Sequence, residues 1–156
     1  MANEKNISTA FIWRLMRRFN QNTIKMFVRP NRPGPDVLLL TTVGRKTGLS
    51  HVTPLQYEEI NGKYYVGALR GRKADWYRNL QKNPQGEVQI KSEKFAATAE
   101  PILQMKAIAD LLEYRLQKHP LMIRFLLLTH GLPLFPKRSH FEQLAKEVVF
   151  VVLQRV

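Results

Sequence analysis

A chain of 156 residues, 44% of them apolar, can fill one hydrophobic core and is short for two. Its 25 Lys and Arg against 12 Asp and Glu leave a formal charge of +13, a field that gathers anions: nucleic acid, acidic lipid or a phosphorylated small molecule. The absence of cysteine excludes disulfides, thiolate metal sites and a cysteine nucleophile, and it suits a reducing compartment.

In chain order, Phe11, Ile12, Leu15, Met16 and Phe19 recur at helical spacing with Arg14, Arg17 and Arg18 opposite them, which predicts a basic amphipathic helix. Such a helix packs on its own domain or lies on an anionic membrane. The three arginines break the only N-terminal stretch that could serve as a secretory h-region, so a cytoplasmic protein is expected, with membrane-surface contact left open. Arg29–Asp36, with Pro30, Pro33, Gly34 and Pro35, reads as a linker. Residues 1–36 thus precede a domain of 37–156.

Val37–Val43 is a short β-branched and apolar run, predicted to be a buried strand. Val52–Ile60 and Lys63–Leu69 flank Asn61-Gly62, the preferred pair for a type I′ turn, and form a hairpin. With Asp75 as cap, Trp76–Lys82 is a short helix; Val88–Lys91 and Lys94–Leu103 are a second antiparallel pair. Ile108–Leu116 and Leu121–Thr129 are helical, and Val148–Leu153 is a closing strand. Several short antiparallel strands with little room for βαβ crossovers predict a mainly β (α+β) barrel. It would have about six strands, a helix after the central hairpin and a helical insert before the last strand.

Rossmann, P-loop, nucleophile-elbow and zincin motifs are all missing, and His51, His119, His130 and His140 lack metal-ligand spacing, so no metal site is expected. Glu58 and Glu59 point to opposite faces of one strand and cannot act as a carboxylate pair. The positive signal is Gly44-Arg45-Lys46-Thr47-Gly48, a loop between two strands whose backbone N–H groups, cations and hydroxyl suit an anion. Arg70, Gly71, Arg72 and Lys73 form a second basic group. Extending the hairpin register places Pro54 opposite Leu69 and Arg70 near Thr53, so both groups would share the open end of one hairpin.

With Leu38–Leu40, this GRKTG loop, Thr53-Pro54-Leu55, the Asn61-Gly62 turn and Trp76-Tyr77-Arg78-Asn79-Leu80-Gln81-Lys82-Asn83-Pro84 in that order, the chain resembles the deazaflavin-dependent nitroreductase family. The resemblance implies a split β-barrel of the FMN-binding type holding coenzyme F420, a deazaflavin whose tail carries a phosphate and glutamates. By the family pattern Arg45, Lys46, Thr47 and Gly48 hold the tail, Pro54 and Leu55 line the ring site, and Leu69, Arg70 and Gly71 with Asn79 touch the ring or phosphate. His51 stands where many relatives carry arginine, and Leu69-Arg70-Gly71-Arg72 where they carry Ser-Lys-Gly-Gly, so the phosphate end is rebuilt here.

The implied activity is hydride transfer from reduced F420 to a hydrophobic, electron-poor small molecule: a quinone, an activated alkene or a nitro compound. The cofactor carries such chemistry, so no catalytic dyad is required and no catalytic residue is assigned. Tyr57, Tyr65, Tyr77 and Tyr114 are the candidate proton donors. The same barrel using FMN is the nearest alternative; a homodimer follows by family analogy. The charge also allows nucleic-acid binding, but the chain has no reader motif and no specific nucleic-acid partner is expected.

Overall fold

The structure is a computed structural model and describes residues 36–68 and 70–156. The predicted helix Phe11–Phe19, most of the proline-rich linker, and Leu69 lie outside the described residues. Six strands, β1 (Val37–Val43), β2 (Ser50–Ile60), β3 (Lys63–Ala68), β4 (Gln85–Ile90), β5 (Glu93–Pro101) and β6 (Val149–Arg155), close an antiparallel barrel in the order β1-β2-β3-β6-β5-β4. A 3₁₀ turn (Gly71–Lys73) and α1 (Asp75–Lys82) join β3 to β4; α2 (Met105–Lys118), α3 (Pro120–Thr129) and α4 (Arg138–Ala145) form the insert before β6. This is the mainly β barrel that the strand pattern predicts.

Strand alternation sorts the core into two layers. Leu38, Leu40, Val66, Val88, Val151 and Leu153 fill the barrel, joined by Trp76, Tyr77 and Leu80 of α1. Phe150, between Val149 and Val151 on β6, points outward into a second cluster with Leu112, Ile123, Leu127 and Leu144 of the helical insert. Asn61 (φ 51°) and Gly62 (φ 74°) make the left-handed turn between β2 and β3.

Three expectations need correction. The hairpin register does not run on to Pro54 and Leu69: β2 pairs with β3 only from Tyr57 to Ile60, and its first half, Ser50–Gln56, pairs with β1. Closing a small barrel makes β2 change neighbours at Gln56 and Tyr57, while the end of β3 pairs with β6 through Ala68↔Val149. Asp75 is the first residue of α1, Ala74 is its cap, and the Asp75 carboxylate reaches Arg45 instead. Finally α4 was not predicted. Its start has no Ser, Thr, Asp or Asn at the cap; the reciprocal bond comes from Lys137 N–H donating to His140 Nδ1 (2.8 Å), and the buried Phe141, Leu144 and Ala145 carry its helical spacing.

An ionic cluster ties the insert to the barrel. Glu58 is 1% exposed on the outer face of β2. It accepts a hydrogen bond from Lys118 Nζ (2.6 Å), contacts His119 Nε2 (2.9 Å) and pairs with Arg115 Nε at 3.6 Å. Burial pushes the Arg115 guanidinium down from its usual value, against the pull of Glu58; the Glu58 hydrogen bond pushes the Lys118 ammonium up. His119 therefore has a structural partner, as do His130 (Glu147, 3.5 Å) and His140.

Candidate cofactor site

The loop after β1 is a single tight turn. Gly48 N–H donates to Gly44 O (2.8 Å), Gly44 N–H to Leu49 O (2.7 Å), and Leu49 N–H to Thr47 Oγ1 (3.3 Å). A Cβ at Gly44 would lie 2.7 Å from Thr47 Oγ1 and 2.9 Å from His51 Nε2, so glycine is what lets the His51 ring lie against the turn. His51 faces Thr42 across β1 and β2.

Helix α1 bolts this turn to the end of the barrel. Asn79, 4% exposed, accepts hydrogen bonds at Oδ1 from Arg45 N–H and Arg45 Nη1 (both 3.1 Å), and its Nδ2 donates to the buried Thr42 Oγ1 (3.1 Å). Arg45 Nη2 pairs with Asp75 Oδ1 at 3.2 Å, and Lys82 Nζ donates to Arg45 O (3.0 Å). Trp76, Tyr77 and Leu80 hold the helix in the barrel core from its other face.

The candidate residues thus divide by position. Lys46, Thr47 and Gly48 are exposed at the tip. Among the described residues the Lys46 and Thr47 backbone N–H groups have no hydrogen-bond acceptor, leaving them, the Lys46 ammonium and the Thr47 hydroxyl available to an anion. Arg45 and Asn79 sit behind the tip and fix its shape. Arg70 and Gly71 open the 3₁₀ turn that leads straight into α1, whose first residue Asp75 pairs with Arg45; that ion pair, and not the hairpin register, links this segment to the loop. Gly71 (φ +59°) is buried, and a Cβ there would lie 2.3 Å from Glu147 O.

Pro54 and Leu55 point to opposite faces of β2: Leu55 opposes Leu38 and packs on the barrel core, while Pro54 opposes Leu39 on the outside. Of the four candidate tyrosines, only Tyr77 belongs to the helix that holds the loop, and its hydroxyl accepts from Gln81 Nε2 (3.3 Å). Tyr57 packs edge-on against Tyr64, and burial together with the carboxylates of Asp36 and Glu59 pushes its phenol up to about 12. At neutral pH it is a hydrogen-bond donor that does not ionise. The sequence showed Asp75 and Lys82, but not that they clamp the turn; the spacing of Asp75, Asn79 and Lys82 along one helix was the available signal.

A small six-stranded antiparallel barrel closed in this strand order is the split-barrel class. The chain belongs to the F420H(2)-dependent quinone reductase family, whose model matches residues 13–120. An F420H(2)-dependent quinone reductase of Mycobacterium tuberculosis is 38% identical over 74 residues, 45% of this chain and 50% of that protein. The chain spans about half the length of the curated relatives it matches.

Among solved structures, an F420-H2-dependent reductase is similar with a TM-score of 0.51 at 23% identity, covering 74% of this chain and 92% of that one. The haem storage protein HutZ of Vibrio cholerae is similar with a TM-score of 0.53 at 19% identity, covering 87% and 89%. These two likenesses speak to the barrel alone. Among the described residues no helix is long and apolar enough to cross a membrane, and no group of three or more His, Cys, Asp or Glu could hold a metal.

Proposed function

We propose that this protein binds coenzyme F420 at the Gly44–Gly48 turn and reduces a quinone or a comparable electron-poor, hydrophobic acceptor. The observation that carries the reading is the division of labour at the turn. Arg45 is anchored by Asn79 and Asp75, and the neighbouring Lys46 and Thr47 present an ammonium, a hydroxyl and two N–H groups to solvent. That donor set fits a phosphate or carboxylate, which a deazaflavin tail supplies, and family membership points to the same ligand.

When bound, reduced F420 supplies a hydride, and the acceptor takes that hydride and a proton to become the reduced product. The chain's own part is to bind and orient. Lys46 and Thr47 hold the anionic tail, His51 stands against the base of the turn, and Arg70 at the start of the 3₁₀ turn adds positive field from the next segment. Anchoring before binding spares the loop the entropy of being ordered by its ligand.

The test is a fluorescence titration of the full chain with F420 in parallel with FMN. Saturable F420 binding that weakens about tenfold or more in Lys46→Ala/Thr47→Ala is expected, from the loss of charge-assisted hydrogen bonds. Tight FMN binding in place of F420 would keep the fold and move the chemistry to a flavin. Binding of neither would overturn the reading.

A further inference from the structure

The chain has 4 histidines, and three of them are already engaged. His119 Nε2 meets Glu58 (2.9 Å), His130 meets Glu147 (3.5 Å) and the Leu126 carbonyl (2.9 Å), and His140 Nδ1 accepts from Lys137 N–H (2.8 Å). His51 is different. It is exposed, and among the described residues neither of its ring nitrogens has a hydrogen-bond or ion-pair partner.

The fold nevertheless fixes where this ring stands. In the β1–β2 register His51 opposes Thr42, and residues directly opposite one another in an antiparallel pair project to the same face. That face carries α1: Thr42 Oγ1 accepts from Asn79 Nδ2, and Asn79 Oδ1 holds Arg45. The ring therefore lies on the side where the turn is clamped. One carbon added at Gly44 would stand 2.9 Å from His51 Nε2 and 2.7 Å from Thr47 Oγ1, so the imidazole edge and the Thr47 hydroxyl flank the same point of the backbone.

The charges beside the ring come from two elements. The turn supplies Arg45 and Lys46, and α1 supplies Asp75 and Lys82; β1 and the half of β2 that pairs with it carry no Asp, Glu, Lys or Arg. Asp75 is taken up by Arg45 at 3.2 Å, and Lys82 Nζ lies on the Arg45 carbonyl. Arg70, Arg72 and Lys73 follow on the segment that leads into α1. His51 thus faces cations and the open tip of the turn. An anion bound at the tip supplies the partner the ring lacks, so binding the anion and protonating the ring favour each other.

We infer that His51 makes cofactor binding proton-linked: its imidazolium is a cation of the anion site that is present at mildly acidic pH and lost as pH rises, so that affinity for the anionic tail falls across the range in which histidine changes charge. The inference rests on the reading of the Gly44–Gly48 turn as the F420 site and adds a regulation to it.

Fluorescence titration of the full chain with F420 at pH 6 and at pH 8, at fixed ionic strength, tests it beside His51→Arg and His51→Gln. Melting temperatures are compared first, and one variant that folds like the parent suffices. Ionisation of the cofactor itself is common to all three proteins and cancels in the comparison. The parent is expected to lose about fivefold or more of its affinity between the two pH values relative to either variant. His51→Arg should bind at pH 8 as the parent does at pH 6, and His51→Gln should be weak already at pH 6. The same pH ratio in the parent and a folded variant would overturn the inference and leave the F420 site in place. Absence of F420 binding by the parent at both pH values would overturn the reading of the site, and the inference with it.

Discussion

Truncating Asn79 to alanine tests how the site is held. The amide makes three hydrogen bonds: two accepted from Arg45 and one donated to Thr42, which is buried in the barrel. Asn79→Ala leaves the Thr42 hydroxyl without its donor and the Arg45 N–H without its acceptor, inside a region that has little water to replace them. Each lost bond is worth roughly 0.5–1.5 kcal/mol, and an orphaned buried group costs about 1–3 kcal/mol. A loss of about 2–4 kcal/mol follows, or about 5–15 °C in melting temperature for a domain of this size. Urea denaturation with an unchanged m-value measures it. Asn79→Asp is the companion variant: a carboxylate still accepts from Arg45, and the Thr42 hydroxyl can turn to donate to it, so most of the stability should return. F420 affinity should fall with Asn79→Ala and recover with Asn79→Asp. An alanine variant within about 0.5 kcal/mol of the parent, at parent affinity, would refute the anchoring role.

Glu58→Leu should destabilise by about 3–5 kcal/mol, because Arg115 is left buried without its carboxylate, and Glu58→Leu/Arg115→Leu should recover a large part of it; chemical denaturation of both variants decides, and equal losses would contradict the pairing. Gly71→Ala should cost roughly 1–3 kcal/mol, since alanine is strained at φ +59° and its Cβ meets Glu147 O; a neutral or stabilised variant in the same assay would contradict the close approach. The ultraviolet phenol titration should contain one component near pH 12 that vanishes in Tyr57→Phe. Because the folded-state value lies above the usual phenol value of about 10, the linked stability is complete below pH 10 and is lost as pH rises toward 12. A Tyr57 component ionising near the usual phenol value of about 10 would refute the burial effect.

What could be read directly from the sequence was local. Val37–Val43 has the bounds the strand pattern gives, and Asn61-Gly62 turns the hairpin because both residues tolerate positive φ. The loop at Gly44–Gly48 lies between two strands as its glycines imply. What could not be read depends on partners far along the chain. Glu58 looks like any strand carboxylate until Lys118 and His119, some sixty residues later, meet it on the outer face of β2. A row of Arg115, Lys118 and His119 at i, i+3 and i+4 was the trace of that contact. The change of neighbour within β2 is a property of barrel closure, which no single strand encodes. Asn79 was legible as polar and close to the site; its burial follows from Trp76, Tyr77 and Leu80 drawing α1 into the barrel end.

The most direct test of the central claim is oxidation of reduced F420 by menadione, followed through the cofactor's visible absorbance with and without the protein. Protein-dependent oxidation that saturates with F420 and is strongly reduced in Lys46→Glu, which places a like charge beside the anionic tail, is the predicted result. Menadione reduction that proceeds no faster with the protein, or that Lys46→Glu leaves at the parent rate, would contradict it.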